Sequence, residues 1–280
     1  VGWASGGPAK VAVVSSALCG MVSGSSVGNT VTTGSVTIPM MKKTGYPGEF
    51  AGAVEAAAST GGQIMPPIMG AAAFIMAEMT GYDYSKIIVR AILPAFLYFL
   101  GIFLGVHFKA KKLGLKGLPK EELPKWKVLL PKMYLLLPLV LLVYMIIGGQ
   151  TMAKSAIYAT IACIIVSLVN KDNRMTPSKF VDALESGGKN TLSIGIACGV
   201  AGIISVCITM TGLGGKLITY IVRLADGQLI IALLLTMVCC IILGMGVPTT
   251  ANYIIMASTC APILINGMGM HVLAANMFVF

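Results

Sequence analysis

The stretch that decides the fold runs from Ser23 to Gly81: SGSSVGNTVTTGSVTIPMMKKTGYPGEFAGAVEAAASTGGQIMPPIMGAAAFIMAEMTG. Its first four residues, Ser23-Gly24-Ser25-Ser26, are small and polar. They separate two moderately apolar limbs, residues 4–22 and 27–41, each short for a membrane span. Two short limbs around a Gly/Ser tip predict a re-entrant hairpin, its second limb closing at Pro39 and Lys42-Lys43. The next apolar segment, Phe50 to Met79, is long enough to cross a bilayer of about 20 residues' thickness but carries Thr60-Gly61-Gly62-Gln63 and Pro66-Pro67 in its middle. Two glycines and a double proline remove helix propensity and hydrogen-bond donors together, so a broken helix is expected there.

The surrounding composition agrees with a membrane setting. Of 280 residues 56% are hydrophobic and 11% charged, and the mean hydropathy is +0.88, which excludes an ordinary soluble domain. The excess comes from aliphatic residues and 18 Met, with 33 Gly and 13 Pro. That mixture suits closely packed membrane helices. The formal charge of +10 does not point to nucleic acid, because the basic residues sit between apolar runs rather than among aromatics. Lys109, Lys111, Lys112, Lys116, Lys120, Lys125, Lys127 and Lys132 form one cluster, read as a cytoplasmic loop beside anionic lipid head groups. All seven cysteines lie in apolar stretches without CxxC spacing and read as small buried hydrophobes.

Residues 87–108 form an ordinary span, followed by expected spans at 133–149 and 152–169, which return to the basic Lys171-Asp172-Asn173-Arg174. Thr176-Pro177 is a helix start, leading through an amphipathic stretch into the uncharged span 191–213. Gly214 to Asp226, with Lys216 and Arg223, reads as an interfacial helix. Gln228–Leu243 and Thr249–Ile265 flank Gly244-Met245-Gly246-Val247-Pro248, a second hairpin candidate entered from the opposite side. A constant shift of 223 residues sets Asn29 on Asn252, Ser35 on Ser258, Pro39 on Pro262 and Ala51 on Ala274. This is the pattern of an inverted repeat, the arrangement that marks binding sites in secondary transporters. The first break maps beyond Phe280, and the chain lacks an initiating Met and a signal-peptide pattern. A piece of a longer protein is therefore expected, one that lacks the second broken helix and does not transport by itself.

Unwound backbone at membrane depth is costly unless it lines a site. Carbonyls with Ser and Thr hydroxyls suit a small hard cation, and helix N-termini restarting after a break direct positive dipole ends toward an anion. The candidate cation ligands are Ser23, Gly24, Ser25, Ser26, Gly61, Gly62, Gln63, Gly246, Pro248 and Thr249; the candidate substrate ligands are Ser26, Asn29, Thr60, Thr250 and Asn252. Glu55 reads either as a proton or cation site or as a carboxylate snorkelling to the cytoplasmic interface. His107 and His271 stand alone at span ends and read as structural; no transition-metal site and no organic cofactor are expected. GxSxG, HExxH, P-loop and dinucleotide fingerprints are absent, which argues against an enzyme and an ATP-driven pump.

The Ser23–Gly81 run resembles the large membrane subunit of TRAP (tripartite ATP-independent periplasmic) transporters, most closely the fused-permease branch that works with TAXI-type binding proteins. GMGVPTTANYIIMASTCAPIL, Gly244 to Leu264, resembles the family's second hairpin. The resemblance implies an all-α polytopic membrane protein of the elevator type, with inverted repeats, re-entrant hairpins and a broken transmembrane helix. It implies symport of a small organic anion with sodium, a proton remaining the alternative, in a bacterial or archaeal cytoplasmic membrane. A periplasmic TAXI-type binding protein and a small membrane subunit, separate or fused, would be the partners. Gly24-Ser25-Ser26 with Gly61-Gly62-Gln63 correspond to the family's first cation site and Gly246 to Asn252 to part of the second. Many members have Ile-Gly-Pro where this chain has Gly61-Gly62-Gln63.

The expected organisation is a first-repeat transport half at 1–108, a basic linker at 109–132, scaffold spans and interfacial helices at 133–226, and the second hairpin with the start of a further helix at 227–280. The rival to a secondary transporter is a passive channel built from re-entrant loops. An intramembrane enzyme would need a base to partner Ser25, and the sequence offers none.

Overall fold

The computed structural model describes residues 5–115, 117, 130–169, 174–245 and 249–280. Among the described residues the regular structure is helical throughout, as the composition requires in a solvent that cannot satisfy open backbone groups. The chain forms two compact units, residues 1–70 with 84–175 and residues 71–83 with 176–280.

In the first unit, α1 (Gly7–Ser23) and α2 (Ser26–Lys43) make the expected hairpin. Gly6 and Gly24 bracket α1, both at positive φ, and Pro8 occupies its first turn, where a missing N–H costs nothing. The Ser25 hydroxyl caps α2 by accepting from the Gly28 N–H at 3.2 Å. Pro39 lies inside α2 rather than ending it, and the helix runs on to Lys43.

The broken segment is resolved into α3 (Gly48–Gly61) and α4 (Ala71–Thr80), with the unwound stretch from Gly62 to Gly70 between them. α5 (Tyr84–Lys112) contains the expected span 87–108. It is the one helix among the described residues long and apolar enough to cross a membrane. Pro94 sits within it, and Lys109, Lys111 and Lys112 at its end complement the negative pole of the helix dipole.

α1, α2, α3 and α5 share a core in which Ala9, Ala12, Ala51, Ala58 and Ala110 are fully buried beside Val13, Met41 and Val106. Alanine at these positions lets the helix backbones approach closely, the usual device where lipid supplies no hydrophobic drive between helices. A short 3-10 turn (Leu130–Leu136) then leads into α6 (Leu137–Ile147) and α7 (Met152–Val169), which pack on each other in place of the two expected spans.

The second unit holds α4, α8 (Pro177–Met210), α9 (Leu213–Ala225), α10 (Leu229–Gly244), α11 (Thr249–Thr259) and α12 (Val272–Val279). Thr176 starts α8 as expected, its hydroxyl accepting from the Lys179 N–H at 3.4 Å. The amphipathic stretch and most of the expected span 191–213 are one continuous helix of 34 residues, which ends at Met210, and Leu213 already opens α9. α10 and α11 stand where the second hairpin was expected. However, the second limb stops at Thr259, and Ile263–Gly267 forms a π turn after Pro262.

Candidate functional site

The first hairpin tip and the helix break are packed against each other, backbone on backbone. A Cβ on Gly20 would lie 2.5 Å from the Gly62 Cα, and a Cβ on Gly62 would lie 2.5 Å from the Gly20 Cα, so only glycine permits this approach. Gly24, at φ +60°, abuts the Met69 carbonyl, and a side chain there would come within 2.4 Å of that oxygen. The Gln63 amide donates to the Ser26 hydroxyl at 3.2 Å, joining break to tip through side chains. The break closes on itself where the Gly70 N–H donates to the Gln63 carbonyl at 2.8 Å. Tyr98 of α5 holds α3 from behind, its hydroxyl donating to the Ala57 carbonyl at 2.9 Å and its ring filling the space that a Gly61 side chain would need. Tyr84 donates to the Pro67 carbonyl at 3.1 Å and also to that of Ile68.

Asn29 occupies the centre of this arrangement. It is 1% exposed, and its amide Nδ2 donates to the Ser16 carbonyl at 2.8 Å. Its Oδ1 is buried without a hydrogen-bond partner. An orphaned buried acceptor costs about 1–3 kcal/mol unless something fills it. A cation is one group that would. The tip joins the C-terminal end of α1, whose last carbonyls lack helical partners, to the N-terminal end of α2, whose first N–H groups point outward. Opposite poles at one turn can serve a cation and an anion side by side.

Glu55 lies nearly two turns before the end of α3 and is fully buried. Snorkelling to the interface, one of the two sequence readings, is therefore overturned. Its Oε1 accepts from Ser16 at 2.6 Å, from Ser59 at 3.1 Å, and from Thr33, while its Oε2 accepts from Thr37.

One contact of the first hairpin has a counterpart in the second. Asn252 rests against Gly244, where an added Cβ would meet its Nδ2 at 2.9 Å, and its Oδ1 is again buried without a partner. Gly20 stands in the same way to Asn29, with 3.0 Å from an added Cβ to Nδ2. A glycine on the entering limb thus faces an asparagine on the leaving limb in both hairpins. Thr249 and Thr250 open α11. Gly246 and Pro248 lie outside the described residues.

A family model described as "Tripartite ATP-independent periplasmic transporter, DctM component" matches residues 1–280. The chain belongs to this TRAP transporter family. Relatives of the TRAP large-subunit type are similar over parts of their length. A C4-dicarboxylate TRAP transporter large permease protein DctM of Vibrio cholerae is 32% identical over 53% of this chain and 32% of its own. The protein of the same name in Pseudomonas aeruginosa is 29% identical over 67% of this chain and 44% of its own. A putative TRAP transporter large permease protein of Haemophilus influenzae is 25% identical over 94% of this chain and 62% of its own. The chain thus spans between about a third and three fifths of these relatives' lengths. They carry transporter names, not enzyme names.

Within this TRAP chain the structure brings together Gly24, Ser26, Asn29, Gly62 and Gln63. It leaves Thr60 on the outside of α3, where its hydroxyl donates to the Ala56 carbonyl at 2.8 Å. Ser23 and Ser25 remain within the tip, the Ser25 N–H donating to the Ser23 hydroxyl at 3.5 Å. His271 caps α12, its Nδ1 accepting from the Leu273 N–H at 3.3 Å, and thus has the structural role expected of it. Sequence reasoning missed the hydroxyls around Glu55. Their signal was the four-residue spacing of Thr33 with Thr37 and of Glu55 with Ser59, which puts each pair on one helix face.

Proposed function

We propose that this chain is part of the large membrane subunit of an ion-coupled secondary transporter in the cytoplasmic membrane. Its cargo is a small organic anion, a dicarboxylate or an amino acid, received from a soluble periplasmic binding protein. The names of the relatives from Vibrio cholerae and Pseudomonas aeruginosa favour a C4-dicarboxylate. A small membrane subunit, separate or fused, completes the complex, and the binding protein is of the TAXI type. Sodium is the coupling ion, and the two hairpins belong to an inverted repeat that moves by an elevator mechanism.

One observation carries this reading: the first hairpin tip meets the helix break through bare backbone, with the buried Asn29 Oδ1 left as an open acceptor. Hard cations take oxygen ligands, and this junction supplies hydroxyl, amide and carbonyl oxygens. Discontinuous helices that meet a hairpin in this way are the transporter solution to holding ions at membrane depth. The matching Gly244–Asn252 contact supports a second site of similar chemistry.

Uptake should be measured in proteoliposomes of the intact transporter with its binding protein, imposing sodium and proton gradients separately. Ser26→Leu and Ser25→Leu are expected to abolish ion-dependent uptake while membrane insertion and yield stay unchanged. Ser26→Leu also removes the hydroxyl that accepts from Gln63. Wild-type rates in both variants would remove the tip from the mechanism. Flux that neither saturates nor responds to either gradient would identify a passive pore instead.

A further inference from the structure

We infer that Glu55 is a proton-binding site, built so that its carboxyl group is fully hydrogen-bonded with the proton on and with the proton off. The group is fully buried among hydroxyls from three helices: Ser16 of α1, Thr33 and Thr37 of α2, and Ser59 of its own α3. A lone carboxylate in such surroundings would carry a large desolvation cost. Among the described residues no cation is in contact with it. On α1, Lys10 lies 3.0 Å from the His107 Nδ1 and over the Phe103 ring, and Cys19 is exposed. On α2, Lys42 and Lys43 are exposed in the last turn, as is Glu49 in the first turn of α3. On α5, Tyr84 and Tyr98 donate to backbone carbonyls, Lys109 lies over the Phe50 ring, and Lys86, Arg90, Lys111 and Lys112 are exposed at the two ends.

The hydroxyls can serve either form without backbone movement. Thr37 has two acceptors within reach, the Thr33 carbonyl at 2.9 Å and Glu55 Oε2. With the proton on Oε2, that O–H donates to the Thr37 oxygen and Thr37 donates to the Thr33 carbonyl, while Oε1 still accepts from Ser16, Thr33 and Ser59. When the proton leaves to solvent, Thr37 turns its own hydrogen to Oε2. The Thr33 carbonyl loses only a second donor, since the helix N–H ladder still serves it. One proton is exchanged and one hydroxyl rotates. Ser16 and Ser59 stand at hydrogen-bonding distance from Oε1, 2.6 and 3.1 Å, so the carboxyl group is served by protons without a metal cation.

This assignment is independent of the proposed transport and is tested without substrate. Infrared difference spectra of the purified intact protein in heavy water, recorded as the pH is stepped, should contain, beside the signal of the exposed carboxyl groups, a separate carboxylic-acid C=O component that grows on acidification and belongs to Glu55. Glu55→Gln places an amide where the protonated carboxyl stands and keeps all of its hydrogen bonds. It should remove that component completely while far-ultraviolet circular dichroism stays as in the wild type. Ser59→Ala withdraws one donor from Oε1 and should move the same component to higher frequency without abolishing it, which keeps the test valid if Glu55→Gln does not fold. A spectrum with no such component, a component that survives Glu55→Gln, or one that Ser59→Ala leaves in place overturns the assignment. Uptake that fails in every protein while the infrared changes appear would count against the transport reading alone.

Discussion

Gly20→Ala and Gly62→Ala are each expected to destabilise the folded protein by about 3 kcal/mol, the upper part of the range for overpacking a tight contact. The new methyl group would lie 2.5 Å from backbone in either case, and backbone cannot rotate away as a side chain can. Gly52→Ala is the internal control. It lies on the same α3 with nothing within 4 Å of the added methyl, so it should be neutral or slightly stabilising through helix propensity. Thermal unfolding of the detergent-purified protein distinguishes the three variants. Equal midpoints for Gly62→Ala and Gly52→Ala would mean that the hairpin and the break are not in backbone contact.

Asn29→Ala and Asn252→Ala should have the larger effect on function. If the orphaned Oδ1 atoms are cation ligands, each substitution should weaken the apparent sodium affinity at least about tenfold, equivalent to about 1.4 kcal/mol. Two measurements bear on this: the sodium dependence of uptake, and the rise in unfolding temperature that sodium confers by binding the native state. Asn29→Ala also removes the tie to the Ser16 carbonyl, so its unfolding temperature without sodium should fall as well. Asn252→Ala puts the same question to the second hairpin. Sodium curves that superimpose on the wild type would exclude both residues from ion binding.

The parts of the structure that were legible in the sequence are those set by backbone chemistry. Gly61-Gly62 and Pro66-Pro67 forbid a continuous helix whatever surrounds them, and the chain unwinds from Gly62 to Gly70. Thr176-Pro177 announces a helix start, and the Thr176 hydroxyl caps one; Ser25, read from the sequence only as part of the tip, also caps a helix. Proline was less informative. Pro39 and Pro94 stand inside helices, because the carbonyl that each leaves unpaired can be served locally in a packed bundle. The hydroxyl cluster around Glu55 was hidden for another reason. Ser16, Thr33 and Ser59 come from three helices, so their convergence depends on the alanine-mediated packing of those helices, which periodicity does not reveal. The pairing of Asn29 with Asn252 could be read by numerical shift alone, whereas the facing glycines Gly20 and Gly244 are not related by that same shift.

The Gly20–Gly62 contact also limits how the site can open. Two main chains that touch without intervening side chains have no rotamer that could swing aside to make a passage between them. The α1–α2 tip therefore cannot act as a flap lifting from the break by side-chain motion. It and the unwound residues are expected to move as one piece, so that the ion proposed to bind beside Asn29 would leave by displacement of that whole piece or by a path that keeps the glycine seam closed.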